Sequence, residues 1–444
     1  MRFLIDLLYL LAGLAFSPIV LYRMVRHQRY RHGWAHRFGR IARRHPEKPC
    51  IWLHAVSVGE VNAAKMLLTK LESRFPDFEI VVSTTTDTGF ARAQTLFGEQ
   101  WTVFYFPFDF SWVMRRAFGR LQPSLCLLME LEVWPNFIAT ARRRGIPVVV
   151  VNGRISDRSI PKYRKIKRLT RIFFGKIDLV LAQTDEYAQR FGELGCPADR
   201  VIVTSSLKYD SAQVTDHVDG AEALAEQLGL VGQRLWVAGG TGNDEEKIVL
   251  EAYRGLLQDE RLADVRLIVV PRKPERFDEV AQLIEEKEYS LVRFSQLKDT
   301  TERIESSSRA VILGDTMGDL RKFYSLATVI LVGRSLVPMG GSDMMEAAAL
   351  GKCTMFGTHT FNFRQTVEAL LAGRGALQVR DGSELLATLR QCLLEPEYAQ
   401  TIARQGRQVI LDNQGATARS VEHITALLQP VDRATPQPSV PVAH

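Results

Sequence analysis

The sequence predicts an α/β protein built as two doubly wound domains. Beyond residue 48, short runs rich in Val, Ile and Leu alternate with stretches of helical periodicity. These runs are apolar throughout, the pattern of strands covered on both faces of a parallel sheet. The series pauses between about 210 and 233 and then starts again, which divides the chain in two. At 444 residues, 46% apolar and 24% charged, the chain fits two or three globular domains and excludes a disordered or fibrous one.

The first element is the apolar segment Phe3–Leu21, interrupted only by Asp6, Ser17 and Pro18 and free of charge only from Leu7 onward. It is short of the roughly 20 apolar residues of a spanning helix. Its arginines (23, 26, 29, 31, 37 and 40) follow the apolar run, the reverse of a secretory signal. Basic residues in that position stay on the cytoplasmic side and bind anionic headgroups. The expectation is an N-terminal helix on the cytoplasmic face of an inner membrane, the competing reading being a core helix beside a solvated basic face. Residues 1–50 hold ten Lys and Arg against two Asp and Glu, whereas residues 51–444 hold 47 against 48. The excess of +7 is therefore N-terminal, and a nucleic-acid-binding body is not expected. The five cysteines are scattered without a C-x-x-C pair and read as reduced core residues.

The first strand series comprises 51–55, 79–83, 102–106, 125–129, 148–152, 178–183 and 201–203, with helices such as Val61–Arg74 and Trp134–Arg144 between strands. The second comprises 235–239, 265–270, 310–313, 329–332, 354–357 and 376–379. The expected boundaries are an N-terminal segment 1–47, a first domain 48–212, a linker 213–233 and a second domain 234–429. The tail 430–444, with four prolines, is expected to be disordered. Ligands of such sheets bind beyond the carboxyl ends of the strands, so a cleft between the domains is the expected site.

The junctions after the strands carry the candidate chemistry. The first strand runs into His54-Ala-Val-Ser-Val-Gly-Glu60. Ser57 and Glu60 have the spacing of a capping box, and the same carboxylate at a helix start can take a proton from an acceptor hydroxyl. Glu130 and Glu132 follow the fourth strand; alternation sends them to opposite faces, and Glu130 is preferred as the one facing a ligand. Arg154 and Lys208, each just after a strand, suit an anionic substrate or a solvated surface equally. In the second domain Gly239-Gly240-Thr241-Gly242 precedes the acidic helix start Asn243–Glu246, where amides can cradle a phosphate. Pro271-Arg272-Lys273, Gly314–Asp319 with Met317 and Gly318, and the glycine-rich turn through Asp343, Met344, Met345 and Glu346 complete a set that argues for a nucleotide with a phosphodiester.

Taken together, His54–Glu60, Glu130–Asn136, Asn152-Gly153-Arg154, Ser206–Asp210, Val270-Pro271-Arg272, Gly314–Gly318, Gly333 with Ser335–Val337, and Phe361–Phe363 resemble the 3-deoxy-D-manno-octulosonic acid (Kdo) transferases, the WaaA/KdtA family. The resemblance implies a GT-B glycosyltransferase with two Rossmann-like domains facing a cleft, the first binding the acceptor and the second the sugar nucleotide. It implies inverting transfer of Kdo from CMP-Kdo to a 6′-hydroxyl of a lipid A precursor, with no metal and no cofactor beyond the co-substrate. Glu60 matches the family's general base, and Glu130 and Lys208 match groups that stabilise the transition state. Pro271-Arg272, Met317-Gly318-Asp319 and the Asp343–Glu346 turn match CMP-binding segments. The donor half departs from the pattern. The family's Ser-Thr-His-Glu-Gly-Glu stands here as Gly240–Glu245, its Val-Pro-Arg-His as Val270–Lys273, and its His-Asn-Pro-Leu-Glu as Ser342–Glu346. A transferase using another sugar nucleotide such as a modified ulosonate, a sugar-nucleotide epimerase, and a non-catalytic membrane-bound paralogue are the rival readings. The basic apolar N-terminus speaks against the epimerase. Retention of Glu60, Glu130 and Lys208 speaks against the non-catalytic reading.

Overall fold

A computed structural model describes residues 2–26 and 32–428. The chain forms two compact units, one of Met1–Ser211 with Gln414–His444 and the other of Ala212–Asn413. Each unit is built on a seven-stranded sheet whose neighbouring strands all pair in parallel.

In the first unit the strands are β1 (Cys50–His54), β2 (Glu79–Thr84), β3 (Thr102–Tyr105), β4 (Pro123–Met129), β5 (Val148–Gly153), β6 (Leu179–Ala182) and β7 (Val201–Val203), in the order 3-2-1-4-5-6-7. β1 is buried along its whole length because side chains on both faces enter a core. Trp52 packs with Phe104, Phe118 and Phe137, and Ile51 and Leu53 pack with Val61, Leu67 and Leu71. The chain leaves β1 toward β2 on one side and places β4 on the other, so the carboxyl ends of β1 and β4 flank the switch point where ligands of such sheets bind.

The second unit carries β8 (Leu235–Thr241), β9 (Arg266–Pro271), β10 (Leu291–Arg293), β11 (Val311–Leu313), β12 (Val329–Val332), β13 (Cys353–Phe356) and β14 (Leu377–Gln378), in the order 10-11-9-8-12-13-14. Its switch point lies between β8 and β12. The sequence reading contains no counterpart of β10. This half-buried edge strand ends in an arginine and has no continuous apolar run to reveal it.

The structure corrects three boundaries. The segment 1–47 is part of the first unit. Ile41 is in its core, and Arg43 pairs with Glu79 at 2.7 Å. The segment expected to be a linker belongs to the second unit: Leu224, Leu228 and Leu230 are buried, and the Gln227 side-chain amide donates to Leu297 O at 2.7 Å. The helix Ala416–Leu428, expected at the end of the second domain, packs instead on the helix Val58–Arg74 of the first. Ala416 and Ile424 complete the core around Val61 and Leu68, and the Asp210 carboxylate accepts the Gly415 and Thr417 amides at 2.6 and 2.5 Å. Its apolar period specified a buried face but not which domain would cover it.

The N-terminal helix spans Arg2–Arg26 and includes Pro18. Among the described residues, no helix is long and apolar enough to cross a membrane. Phe3, Leu4, Leu7, Leu8, Leu11 and Leu14 are exposed. The other side is held by polar groups: the Asp6 carboxylate accepts Ser111 N at 2.9 Å, Ser111 Oγ at 2.5 Å and Asn136 Nδ2 at 3.0 Å, and Tyr9 Oη donates to Asp109 at 3.0 Å. The expected tail from residue 430 lies outside the described residues.

Candidate active site

In the first unit, the turn after β1 forms the capping box that its spacing predicts. Ser57 is the N-cap and accepts Glu60 N at 3.4 Å, while Ser57 Oγ and Val56 N donate to the two Glu60 oxygens at 2.9 Å each. The cap does not consume the carboxylate. Burial pushes the Glu60 pKa up to about 7; Val56 counters this and Glu130 reinforces it, Ser57 again lowers it and Glu132 raises it. The capping and proton-accepting readings thus describe one group, because the cap fixes the carboxylate where burial, and then the neighbouring acids, raise its proton affinity.

Glu130 begins the turn after β4 with φ 52, in the left-handed region that a residue bearing a Cβ enters at a cost. Its amide donates to Val151 O at 2.9 Å, and its carboxylate has no hydrogen-bond or ion-pair partner among the described residues. Glu132 is engaged. It accepts Trp134 Nε1 at 2.9 Å and lies 3.8 Å from Nε2 of His54. That histidine is buried, stacked on Phe106 at 3.8 Å, with Nδ1 3.1 Å from both Ser83 O and Ser83 Oγ.

Two cations lie beyond β5 and β7. Arg154 follows β5 and is half-buried, its Nε without a hydrogen-bond partner. Lys208 sits half-buried in the short helix Leu207–Asp210, and its ammonium has no partner among the described residues. Asn152, at φ 56, ties these segments together by accepting Leu207 N on Oδ1 at 3.1 Å.

Asp109 is a residue that the sequence reading missed. Burial raises its pKa to about 7, against the hydrogen bonds from Asn136 N (2.9 Å), Phe137 N (2.7 Å) and Tyr9. It fastens the turn carrying Glu130 and Glu132 to the N-terminal helix. The signal available was a single acid in the aromatic run Phe106–Trp112, which reads as core rather than site.

In the second unit the loops of the expected phosphate cradle hold a carboxylate of the chain itself. The amides of Gly242, Arg334, Ser335 and Leu336 converge on the buried carboxylate of Glu245, at 3.1, 2.5, 3.0 and 2.9 Å. A side chain of this chain already fills the anion position of those loops. Burial still raises the Glu245 pKa, outweighing the four donors. Gly240, at φ 67, gives its carbonyl to Ser342 Oγ (2.9 Å), and buried Thr241 donates to Glu246 at 2.7 Å. Glu246 in turn holds Arg276 through two bonds of 2.7 and 3.0 Å.

Other expected nucleotide contacts are also committed internally. Met344 and Met345 are buried core residues, because the turn places them at the start of the helix Met344–Ala349 on its packed side. Asp343 is the N-cap of that helix and accepts Met345 N at 2.9 Å. Asp319 is held by Lys298 (2.6 Å), Thr316 (2.7 Å) and Lys322 (3.0 Å), and its pKa falls below the ordinary value as these bonds overcome burial. The groups left at the surface are Arg272 beyond the buried Pro271, Met317, Gly318 at φ 94, and half-buried Glu346. Burial and then Asp343 raise the Glu346 pKa, and Arg321 and Arg272 oppose the rise. Among the described residues no group of three or more His, Cys, Asp or Glu side chains is placed to hold a metal ion.

A family model described as 3-deoxy-D-manno-octulosonic-acid transferase (kdotransferase) matches residues 32–211. The chain is 33% identical to the 3-deoxy-D-manno-octulosonic acid transferase of Haemophilus influenzae over 410 residues, covering 91% of this chain and 93% of that protein. It is 34% identical to the enzyme of the same name from Bordetella pertussis over 395 residues, covering 87% and 90%. A glycosyltransferase from Rickettsia africae shares the fold with a TM-score of 0.55 and 13% identity, over 86% of this chain and 98% of that one.

Proposed function

The chain belongs to the 3-deoxy-D-manno-octulosonic acid (Kdo) transferase family, and on that premise we propose that it transfers Kdo from CMP-Kdo to a 6′-hydroxyl of a lipid A precursor in lipopolysaccharide biosynthesis. It is a glycosyltransferase. Glu60 acts as the general base. The observation that carries this reading is a carboxylate at the carboxyl end of β1, fixed by Val56 N and Ser57 Oγ, with a pKa pushed up to about 7. A base poised near the working pH accepts a proton efficiently and still exists ionised.

In the proposed step the acceptor oxygen loses its proton to Glu60 and bonds to the anomeric carbon of Kdo. The bond from that carbon to the CMP phosphate breaks, and its electron pair leaves with CMP. Attack opposite the leaving group inverts the centre. Glu130 and Lys208 stabilise the transition state, and Arg154 offers a second cation for the anionic sugar or phosphate. Arg272, Met317, Gly318, Asp343 and Glu346 bind the CMP portion, together with the backbone of Pro271, Gly240, Thr241, Asp319, Met344 and Met345. Asp343 caps the helix Met344–Ala349, and the helix start offsets part of its charge beside the donor. CMP-Kdo is a co-substrate, and the step invokes no metal or cofactor.

The acceptor is a lipid, and the reading extends to its surface. The helix Arg2–Arg26 lies on the cytoplasmic face of the inner membrane with its exposed leucines in the apolar boundary, and the following arginines contact anionic headgroups. The fit of Asp6 to Ser111 and Asn136 supports a helix that lies along the membrane while docked on its own domain.

The test is a mass-spectrometric transfer assay with the detergent-solubilised protein, tetraacylated lipid A precursor and CMP-Kdo generated in situ. The expected result is a mass gain of one or more Kdo units, reduced about 10²–10⁴-fold in Glu60→Gln with CMP binding retained. Unchanged turnover in the folded variant overturns the assignment of the base.

A further inference from the structure

The excess charge of this chain looks N-terminal only because it is averaged over long stretches. Between Asp157 and Asp178 lie eight Lys and Arg residues and no acid. In the structure this stretch forms two short helices, Ile160–Lys165 and Lys167–Phe174, on the surface of the first unit. Phe173, Phe174 and Thr170 point inward and are buried. Beside them Ile166, Leu169 and Ile172 remain 49%, 44% and 39% exposed.

Cations interleave with them. Arg164 is paired with Glu193 at 2.8 Å, but Lys162, Lys165, Arg168 and Arg171 are exposed and have no ion-pair partner among the described residues. Branched aliphatic side chains held in water beside unneutralised cations suit an anionic amphiphilic surface, where chain ends enter the acyl boundary and cations meet phosphates. They do not suit single-stranded nucleic acid, which is gripped by exposed aromatic stacking platforms.

The position of the patch fits this. A groove of about 290 Å³ beside it is lined by Ile166, Leu169 and Phe173, by Tyr9 of the N-terminal helix, and by Glu132 and Trp134 of the site turn. The patch, the N-terminal helix and the turn that follows Glu130 thus border one groove.

We propose that residues 158–176 form a second membrane-contact element that binds the surface of an anionic bilayer and, with the N-terminal helix, sets the catalytic turn against it. This rests on the reading of a membrane-bound acceptor given above. With one attachment the domain swivels on the bilayer; with two, bordering one groove with the turn that follows Glu130, its site is held toward the lipid.

The test uses the full chain. Co-sedimentation with vesicles containing phosphatidylglycerol is measured for the wild type, for K162Q/K165Q/R168Q/R171Q and for I166S/L169S/I172S, with phosphatidylcholine vesicles as reference. Thermal midpoints serve to check folding. Each cation near an anionic surface is worth about 1 kcal/mol, so the expected loss of partition is about fivefold per cation removed, shrinking as salt rises. The serine variant is expected to lose binding at every salt concentration. In both variants Kdo transfer to acceptor embedded in vesicles falls, while transfer to the same acceptor dispersed in detergent stays at the wild-type rate. Wild-type partition of the folded glutamine variant overturns the proposal, as does an equal loss of transfer in vesicles and detergent. If the wild type transfers no Kdo in detergent, the enzymatic reading fails by itself and the sedimentation still decides this one.

Discussion

At the scale of single residues, the site depends on acids whose burial makes them weak. The Glu60 and Asp109 carboxyls are both raised to about 7, from ordinary values of 4.5 and 3.8. A raised folded value means that the folded state holds the proton more tightly than the unfolded chain. The stabilising contribution is therefore complete below the unfolded values and is lost as pH rises through about 7. Stability should decline between about pH 4 and pH 7, and Asp109→Asn should remove its share of that slope while leaving that of Glu60. Urea midpoints at a series of pH values measure this; an unchanged slope in the variant contradicts the buried-acid account of Asp109. The two acids differ in how visible they are in sequence. Glu60 stands in a strand–turn–helix junction with a capping partner three residues away. Asp109 is surrounded by phenylalanines, and only the fold reveals that Tyr9, a hundred residues earlier, donates to it.

At the scale of elements, the helix Ala416–Leu428 matters most for what it supports. It completes the core beneath the helix Val58–Arg74, whose first turn holds Glu60, and the amides at its start bind Asp210 in the turn that carries Lys208. Truncation after residue 413 is expected to expose Val61 and Leu68, cutting hydrogen-exchange protection in β1 and the helix Val58–Arg74 while leaving β8 and β9 protected. Exchange mass spectrometry reads this directly, and a loss centred on β8 and β9 instead would contradict the packing. The donor loops show a second elemental lesson. Gly240–Glu246 reads in sequence as a phosphate-binding turn, yet its acid folds back and takes up amides from two loops. A glycine-rich turn before an acidic helix start specifies an anion at that place, and either a ligand or the chain's own glutamate satisfies it. The basic helices at 160–174 are the converse case: the charge was in plain sight, but only the structure separates their buried phenylalanines from their exposed isoleucines.

At the scale of the whole molecule, two units with separate sheets and cores are expected to unfold as two events. A ligand that binds one folded unit raises the midpoint of that unit. CMP should therefore shift the calorimetric transition of Ala212–Asn413 and leave that of the other unit in place; a shift confined to the first unit would relocate the donor site. The α/β class, two parallel sheets, thirteen of the fourteen strands and the acids at the carboxyl ends of β1 and β4 are all legible in the order of residues. All of these follow from local hydrophobic pattern and from the few residues that a strand-to-helix turn tolerates. That the helix Ala416–Leu428 belongs to the first unit, that Asp6 docks the N-terminal helix on Ser111 and Asn136, and that Glu245 occupies its own loops emerge only from the folded chain. Periodicity states that a face is buried, and charge states that a partner is needed. Which partner meets them depends on contacts between residues far apart in the chain, and those exist only once it has folded.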